Sequence, residues 1–210
     1  KNFSAIAAAR NAARGKRGLS EQLAGDAGAR TALIIIVGSI PTGIIGLGLK
    51  PLADYSVAPG HLKIVGACFI VTGILMYFCD RFAASGKGLA QGTLRDAVTV
   101  GIFQGIAAMP GLSRSGLTVF SAVMRGFERN DAARLSFLMA IPALLAANLL
   151  ELGEGVGRIS PWPAAAGIAT AFVAGYVSLT ILVSALTSRK LRYFTGYLVT
   201  LGILVLLFSK

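Results

Sequence analysis

The sequence predicts an all-α membrane protein, a polytopic helix bundle of about five spanning helices with one re-entrant helix-loop-helix. Three observations carry that expectation. Hydrophobic residues make up 55% of the 210 and charged residues 14%, with a mean hydropathy of +0.72, against about 25% charged in an ordinary soluble domain. Uncharged stretches of membrane-spanning length recur along the chain. One apolar segment is interrupted halfway by a polar, glycine-bearing turn that contains an arginine.

Residues 1–30 carry Arg10, Arg14, Lys16 and Arg17 after an Ala-rich start, with Gly15, Gly18, Gly25 and Gly28 behind them. They read as a cytoplasmic helix and loop lying against lipid headgroups. The chain opens at Lys1 with neither an initiator Met nor a signal sequence, which reads as an N-terminal truncation.

The first expected span is 31–49, nineteen uncharged residues between Arg30 and Lys50, or roughly 28 Å of helix with a kink near Pro41. The second is 64–79, whose sixteen uncharged residues suffice if Lys63 and Asp80 place their polar ends at the two interfaces. Cys68 and Cys79 lie inside it, roughly 16 Å apart along a helix, too far for an intramolecular disulfide. The segments 135–152, 163–186 and 193–208 read as spans on the same length argument. No linker composition interrupts the pattern beyond residue 30, so residues 1–210 form one membrane domain.

Residues 97–124 do not fit a single span. Ala97 to Met109 is apolar, Pro110 to Gly116 breaks it, and Leu117 to Met124 resumes. Neither half reaches across a bilayer. The distribution of Lys and Arg decides the topology. A segment that dips in and returns puts fifteen basic residues inside and four outside, leaving only Arg114 within the membrane, whereas a crossing segment gives eleven against eight. The re-entrant reading follows, and thirteen helical residues reach roughly 20 Å, past the middle of a bilayer about 30 Å thick. Because the net charge of +11 sits in short clusters between apolar segments, its partners are bilayer lipids and not nucleic acid.

A guanidinium near the midplane costs several kcal/mol, and broken backbone at that depth survives only inside protein or beside water. Ser113, Ser115 and Thr118 surround Arg114 with hydroxyls, and Gly111 and Gly116 let backbone N–H groups approach a ligand. The helix resuming at Leu117 points its free N–H groups into the same break. Together they describe a phosphate site. The bland alternative is that Arg114 snorkels to a lipid phosphate or pairs with a carbonyl. Gln104, the polar side chain on the incoming half-helix, either hydrogen-bonds a phosphate or water or serves helix packing. Asp96 and Glu128 fall in the cytoplasmic loops, so the break has no evident base. His61 reads as an interfacial residue, and Pro41 and Pro142 as kinks.

Met109-Pro110-Gly111-Leu112-Ser113-Arg114-Ser115-Gly116-Leu117-Thr118, with Ser136-Phe137-Leu138-Met139-Ala140-Ile141-Pro142 downstream, resembles the undecaprenyl-diphosphate phosphatase family, also called the bacitracin-resistance BacA or UppP family. The resemblance extends over essentially the whole chain and implies the second half of an inverted-repeat architecture. The family's first span and first re-entrant loop, with E-x-x-x-E and Ser-Ser-Thr-Gly-His, have no counterpart here. Gln104-Gly105-Ile106-Ala107-Ala108-Met109-Pro110 is similar to that loop's E-G-x-x-E-x-x-P with Gln and Ala in place of both acids.

What the resemblance implies is hydrolysis of a polyprenyl diphosphate to the monophosphate carrier lipid, in the bacterial inner membrane, for recycling of cell-wall precursors. Arg114 and Ser113 would act in catalysis, and Gly111, Ser115, Gly116, Thr118 and Gln104 would hold the substrate. A divalent cation, Mg or Ca, would assist from ligands outside this sequence, and a homodimer is compatible with the pattern. These residues alone are then expected to be inactive. A transporter or flippase for a phosphorylated lipid is the rival reading, since a broken helix with a midplane Arg also suits anion carriage.

Overall fold

Backbone polar groups in an apolar bundle must be satisfied within the chain, and helices do that locally. The computed structural model describes residues 27–82, 86–153 and 161–209, so the basic N-terminal cluster from Arg10 to Arg17 and Arg158 lie outside the described residues. Seven α-helices run through the described residues: α1 Ala27–Val57, α2 Leu62–Arg81, α3 Leu94–Ile106, α4 Arg114–Met124, α5 Arg129–Gly153, α6 Pro161–Thr187 and α7 Arg192–Phe208. α1, α2, α5 and α6 are long and apolar enough to cross a membrane, while α7 is apolar but shorter. The chain is an integral membrane protein.

α1 runs past Lys50 and Pro51 to Val57, beyond the expected end at residue 49. Thirty-one residues of helix measure roughly 46 Å, more than the hydrocarbon core needs. α5 likewise starts at Arg129, six residues before its first expected spanning residue. Charges flanking an apolar run mark where a helix leaves the lipid, and the helix itself continues into the interface.

The helices approach one another through small residues, as lipid-solvated helices do. α2 meets α7 where a Cβ on Gly202 would stand 2.6 Å from the Gly66 carbonyl oxygen, and Thr195 Oγ1 donates to the Gly73 carbonyl at 2.9 Å. α1 meets α3 where Thr42 Oγ1 reaches the carbonyls of Gly38 at 2.8 Å and Gly101 at 3.0 Å. α6 leans chiefly on α5 and leaves Ile168, Phe172 and Tyr176 exposed, an apolar surface suited to lipid.

α3 and α4 form an antiparallel hairpin whose two ends meet. Lys87 N donates to the Gly126 carbonyl at 3.2 Å, and Glu128 N donates to the Lys87 carbonyl at 2.9 Å, which ties the chain before α3 to the chain after α4. Asp96 closes the hairpin. It accepts from Arg125 Nε at 2.7 Å and from both Thr93 N and Thr93 Oγ1 at 2.8 Å, and it pairs with Lys87. The sequence places Asp96 in a cytoplasmic loop, but it lies in the first turn of α3 with its side chain fully buried. Thr93 and Asp96 form a reciprocal cap on the first turn of α3, which draws the carboxylate inward.

A second node gathers the remaining ends. Arg129 is 7% exposed. Its Nη2 donates to the carbonyls of Cys79 and Phe82 at 3.2 Å each, its Nη1 to that of Leu186 at 3.4 Å, and it pairs with Asp80 at 3.5 Å. Asp80 in turn accepts from Arg192 N at 2.9 Å, at the start of α7. Each side chain reaches the terminus of a neighbouring helix whose dipole its charge complements, Arg129 the C-terminal ends of α2 and α6 and Asp80 the N-terminal end of α7. Arg30 Nε donates to the Gly92 carbonyl at 3.0 Å, so the loops that carry the basic residues collect at one end of the bundle.

Burial alone pushes the Asp96 carboxyl up, but hydrogen bonds from Lys87, Thr93 and Arg125 outweigh it and hold the group down at about 2. A depressed folded value means stabilisation that is complete above the unfolded value of 3.8 and lost as pH falls toward about 2. Thermal midpoints of the detergent-solubilised chain should therefore be insensitive to this group from neutral pH to about pH 4 and decline below it. Asp96→Asn should lower stability at pH 7 by about 1–3 kcal/mol, reduced from the value for a fully buried pair because Arg125 is partly exposed, and should flatten that acid limb.

Candidate functional site

The break between α3 and α4 is a built turn. Pro110 has no N–H to continue α3, and the chain leaves it through Ala107, Ala108 and Met109, whose N–H groups reach the carbonyls of Phe103, Gly105 and Ile106 at 3.1 to 3.2 Å. Gly111 then takes φ +89°, a left-handed backbone. A Cβ there would stand 2.5 Å from the Val65 carbonyl oxygen, so the turn lies directly against α2.

One hydroxyl from α2 satisfies this turn. Thr72 Oγ1 accepts from Ser113 N at 3.2 Å and shares its proton between the carbonyls of Cys68 at 3.0 Å and Gly111 at 3.2 Å. Ser113 caps α4, its Oγ accepting from Gly116 N at 3.2 Å. The N–H groups of Arg114 and Ser115 stand outside the helix's own hydrogen-bond ladder, and the positive end of α4 lies at the turn.

Arg114, the first residue of α4, is half-buried, and its Nη2 donates to the Ala140 carbonyl at 3.4 Å. Gln104 on α3 is 2% exposed, and its Nε2 donates to the Met139 carbonyl at 3.1 Å. Both acceptors lie in the turn of α5 just before Pro142, a residue that interrupts the α5 ladder. The proline read as a kink thus sits where α5 offers carbonyls to α3 and α4.

Arg114 and Gln104 line a cavity of about 530 Å³ between α1 and α5. Its α1 wall is the stripe Ser39, Thr42, Gly46, Lys50 and Ala53, at helical spacing, and its α5 wall is made largely of alanines and leucines. The cavity is an apolar groove with cations from α4 and α1. Among the described residues no carboxylate, imidazole or thiol lines it, and no three His, Cys, Asp or Glu side chains stand together. That donor set fits an anion and does not fit a divalent cation.

Of the residues singled out in the sequence, Arg114 and Gln104 come together on the cavity. Gly111, Ser113 and Gly116 build the turn and its cap. Ser115 is half-buried beside Arg114. Thr118 is fully buried, its Oγ1 donating to the Arg114 carbonyl at 2.9 Å and paired with Ser136 Oγ, which steadies the first turn of α4. His61 stacks on Tyr55 with ring centroids 3.9 Å apart. Thr72, Thr42 and Lys50 were not singled out. A lone threonine in an apolar span is itself a signal, since its hydroxyl must find a partner there.

The family model described as bacitracin resistance protein BacA matches residues 3–204. A protein named undecaprenyl-diphosphatase from Carboxydothermus hydrogenoformans is 37% identical over 183 residues, 84% of this chain and 69% of that protein. Its namesake from Alkaliphilus metalliredigens is 36% identical over 184 residues, 86% of this chain and 66% of that protein. The one from Desulfatibacillum aliphaticivorans is 38% identical over 199 residues, 93% of this chain and 71% of that protein. The chain thus spans about two thirds of the length of these relatives.

Replacing Thr72 with Val removes the hydroxyl and leaves the Ser113 N–H and the Gly111 carbonyl without that partner. Thr72→Val should cost about 1–3 kcal/mol of stability, read as a lower melting temperature in detergent, with faster hydrogen exchange at the amides of residues 111–116 than in the rest of α4.

Proposed function

The chain belongs to the bacitracin-resistance BacA family, and on that footing we propose that it forms the phosphate-binding half of an undecaprenyl-diphosphatase in the bacterial inner membrane. The observation that carries this reading is Arg114, a half-buried guanidinium on an apolar cavity that, among the described residues, makes one long hydrogen bond, to a carbonyl at 3.4 Å. The substrate is a polyprenyl diphosphate: an anionic head for Arg114 and the α4 N-terminus, and a hydrocarbon tail for the apolar α1 and α5 walls.

In the reaction, water attacks the terminal phosphorus, the bridging P–O bond breaks toward the lipid, and inorganic phosphate and the monophosphate lipid result. Arg114 holds the terminal phosphoryl oxygens and offsets the charge that develops on them. Ser113 caps the helix that aims Arg114, and Ser115 lies beside it. The proton lost by the attacking water must go to a base that the cavity's lining residues do not supply. A divalent cation, Mg or Ca, would neutralise phosphate charge when bound, and would take ligands other than the residues lining this cavity.

The hairpin supports a re-entrant topology. Both of its ends lie with the basic loops, and α3 and α4, at 13 and 11 residues, are each too short to span. α7 completes a set of five spans, its 17 residues reaching roughly 26 Å, within the tolerance of a thinned bilayer. The cavity extends along α1 from Ser39 to Ala53, away from the basic end where Arg30 lies. With the basic loops cytoplasmic, it opens toward the outer leaflet. A loop entered from the cytoplasm thereby serves a pocket on the other side.

Reconstituted in proteoliposomes, the gene's full product should release inorganic phosphate from a polyprenyl diphosphate. Arg114→Ala should lower kcat about 10²–10³-fold, with Arg114→Lys intermediate. These 210 residues alone, with no base among the described residues that line the cavity, should release none. Movement of labelled lipid between leaflets without phosphate release would establish carriage in place of hydrolysis.

A further inference from the structure

Gln104 presents one polar atom that the fold leaves unused. Its side chain is 2% exposed, and its Nε2 donates to the Met139 carbonyl at 3.1 Å with Thr42 Oγ1 at 3.5 Å. The Met139 contact fixes the amide's orientation, because exchanging nitrogen and oxygen would set two acceptors against each other. Oε1 is therefore an acceptor by placement, and among the described residues no donor reaches it. Gln104 lines the same cavity as Arg114.

Resting on the phosphate reading of this cavity, we infer that Gln104 Oε1 accepts the proton of a P–OH group, so that the site takes its ligand's terminal phosphate in the monoprotonated form. A fully ionised phosphoryl group has only acceptor oxygens. Against a carboxamide oxygen held in place by α5, it meets lone pair with lone pair. The monoprotonated group supplies the one O–H that Oε1 can receive and still offers its remaining oxygens to Arg114. Selection by an acceptor that would otherwise be buried and unpaired is strong, since that atom loses its partner whenever the wrong form binds.

The surroundings make this measurable. Among the described residues, the charged groups lining the cavity are Arg114 from α4 and Lys50 from α1. Arginine and lysine side chains ordinarily stay charged throughout the physiological range. A change in affinity between pH 5 and 8 at this cavity thus reports the ligand's own proton, whose second ionisation lies at about 6 in a phosphomonoester.

The test is calorimetric titration of the detergent-solubilised 210-residue chain with farnesyl monophosphate from pH 5 to 8, with phosphorus-31 NMR of the bound lipid. Affinity should fall above about pH 6, approaching about tenfold per pH unit, and Gln104→Leu should abolish the slope. In the unmutated chain the bound phosphorus should keep the monoanion's chemical shift at pH 7, a readout that does not depend on the variant folding. Affinity that holds or rises with pH, a slope that persists in Gln104→Leu, or a bound dianion at pH 7 would overturn the inference while leaving the phosphate site standing. No binding at any pH, or equal binding by Arg114→Ala, would overturn the phosphate site and this inference with it.

Discussion

A turn placed inside an apolar bundle exposes backbone groups that lipid cannot satisfy, and here the Thr72 hydroxyl takes up that burden. It accepts from Ser113 N and reaches the Gly111 carbonyl, so it grips the turn immediately before Arg114. The left-handed Gly111 brings the turn within reach, since a side chain there would collide with the Val65 carbonyl. Because Ser113 also caps α4, the position of the α4 N-terminus, and with it the direction of the guanidinium, is set by contacts made to α2. α2 is in turn packed through glycines against α7. The site therefore inherits its rigidity from a helix pair that does not line the cavity.

Electrostatics divides the molecule into two ends. At the basic end, cations meet anions or helix carbonyls: Asp96 holds Lys87 and Arg125, Asp80 holds Arg129, and Asp131 accepts from Leu89 N and pairs with Arg134. At the cavity the balance is different. Among the described residues Arg114 reaches a carbonyl at 3.4 Å, and no carboxylate lines the walls. A guanidinium held in a weakly polar groove favours any anion that can enter. The apolar walls then select anions that carry hydrocarbon.

The bundle and the location of its break were legible in the sequence because both are read from charge spacing. Uncharged runs mark α1, α2, α5, α6 and α7, and Pro110-Gly111 marks the turn. Helix ends were less legible, since α1 and α5 continue past the charges that bound their apolar runs. Within the site, Arg114 and Gln104 were readable as polar residues in apolar surroundings. Thr118 and Thr72 looked alike in sequence, yet Thr118 bonds within its own helix and to Ser136, whereas Thr72 holds the turn. Only tertiary placement distinguishes them. Asp96 reads as a loop residue in the sequence although Thr93 and Asp96 carry the spacing of a helix cap, a local signal that points to burial only once Arg125 is known to lie beside it.

The turn of α5 before Pro142 links the fold to the chemistry of the cavity. Pro142 leaves the Leu138 carbonyl without its ladder partner, and the next two carbonyls of α5, those of Met139 and Ala140, receive Gln104 and Arg114. Those contacts do different things to the two side chains. The Met139 carbonyl orients the Gln104 amide, whose oxygen meets no donor among the described residues, whereas the long Ala140 contact leaves the Arg114 guanidinium with donors to spare. Two successive carbonyls of α5 thus orient one acceptor and leave one cation able to turn toward a ligand, and a binding site for a protonated phosphate calls for that pair.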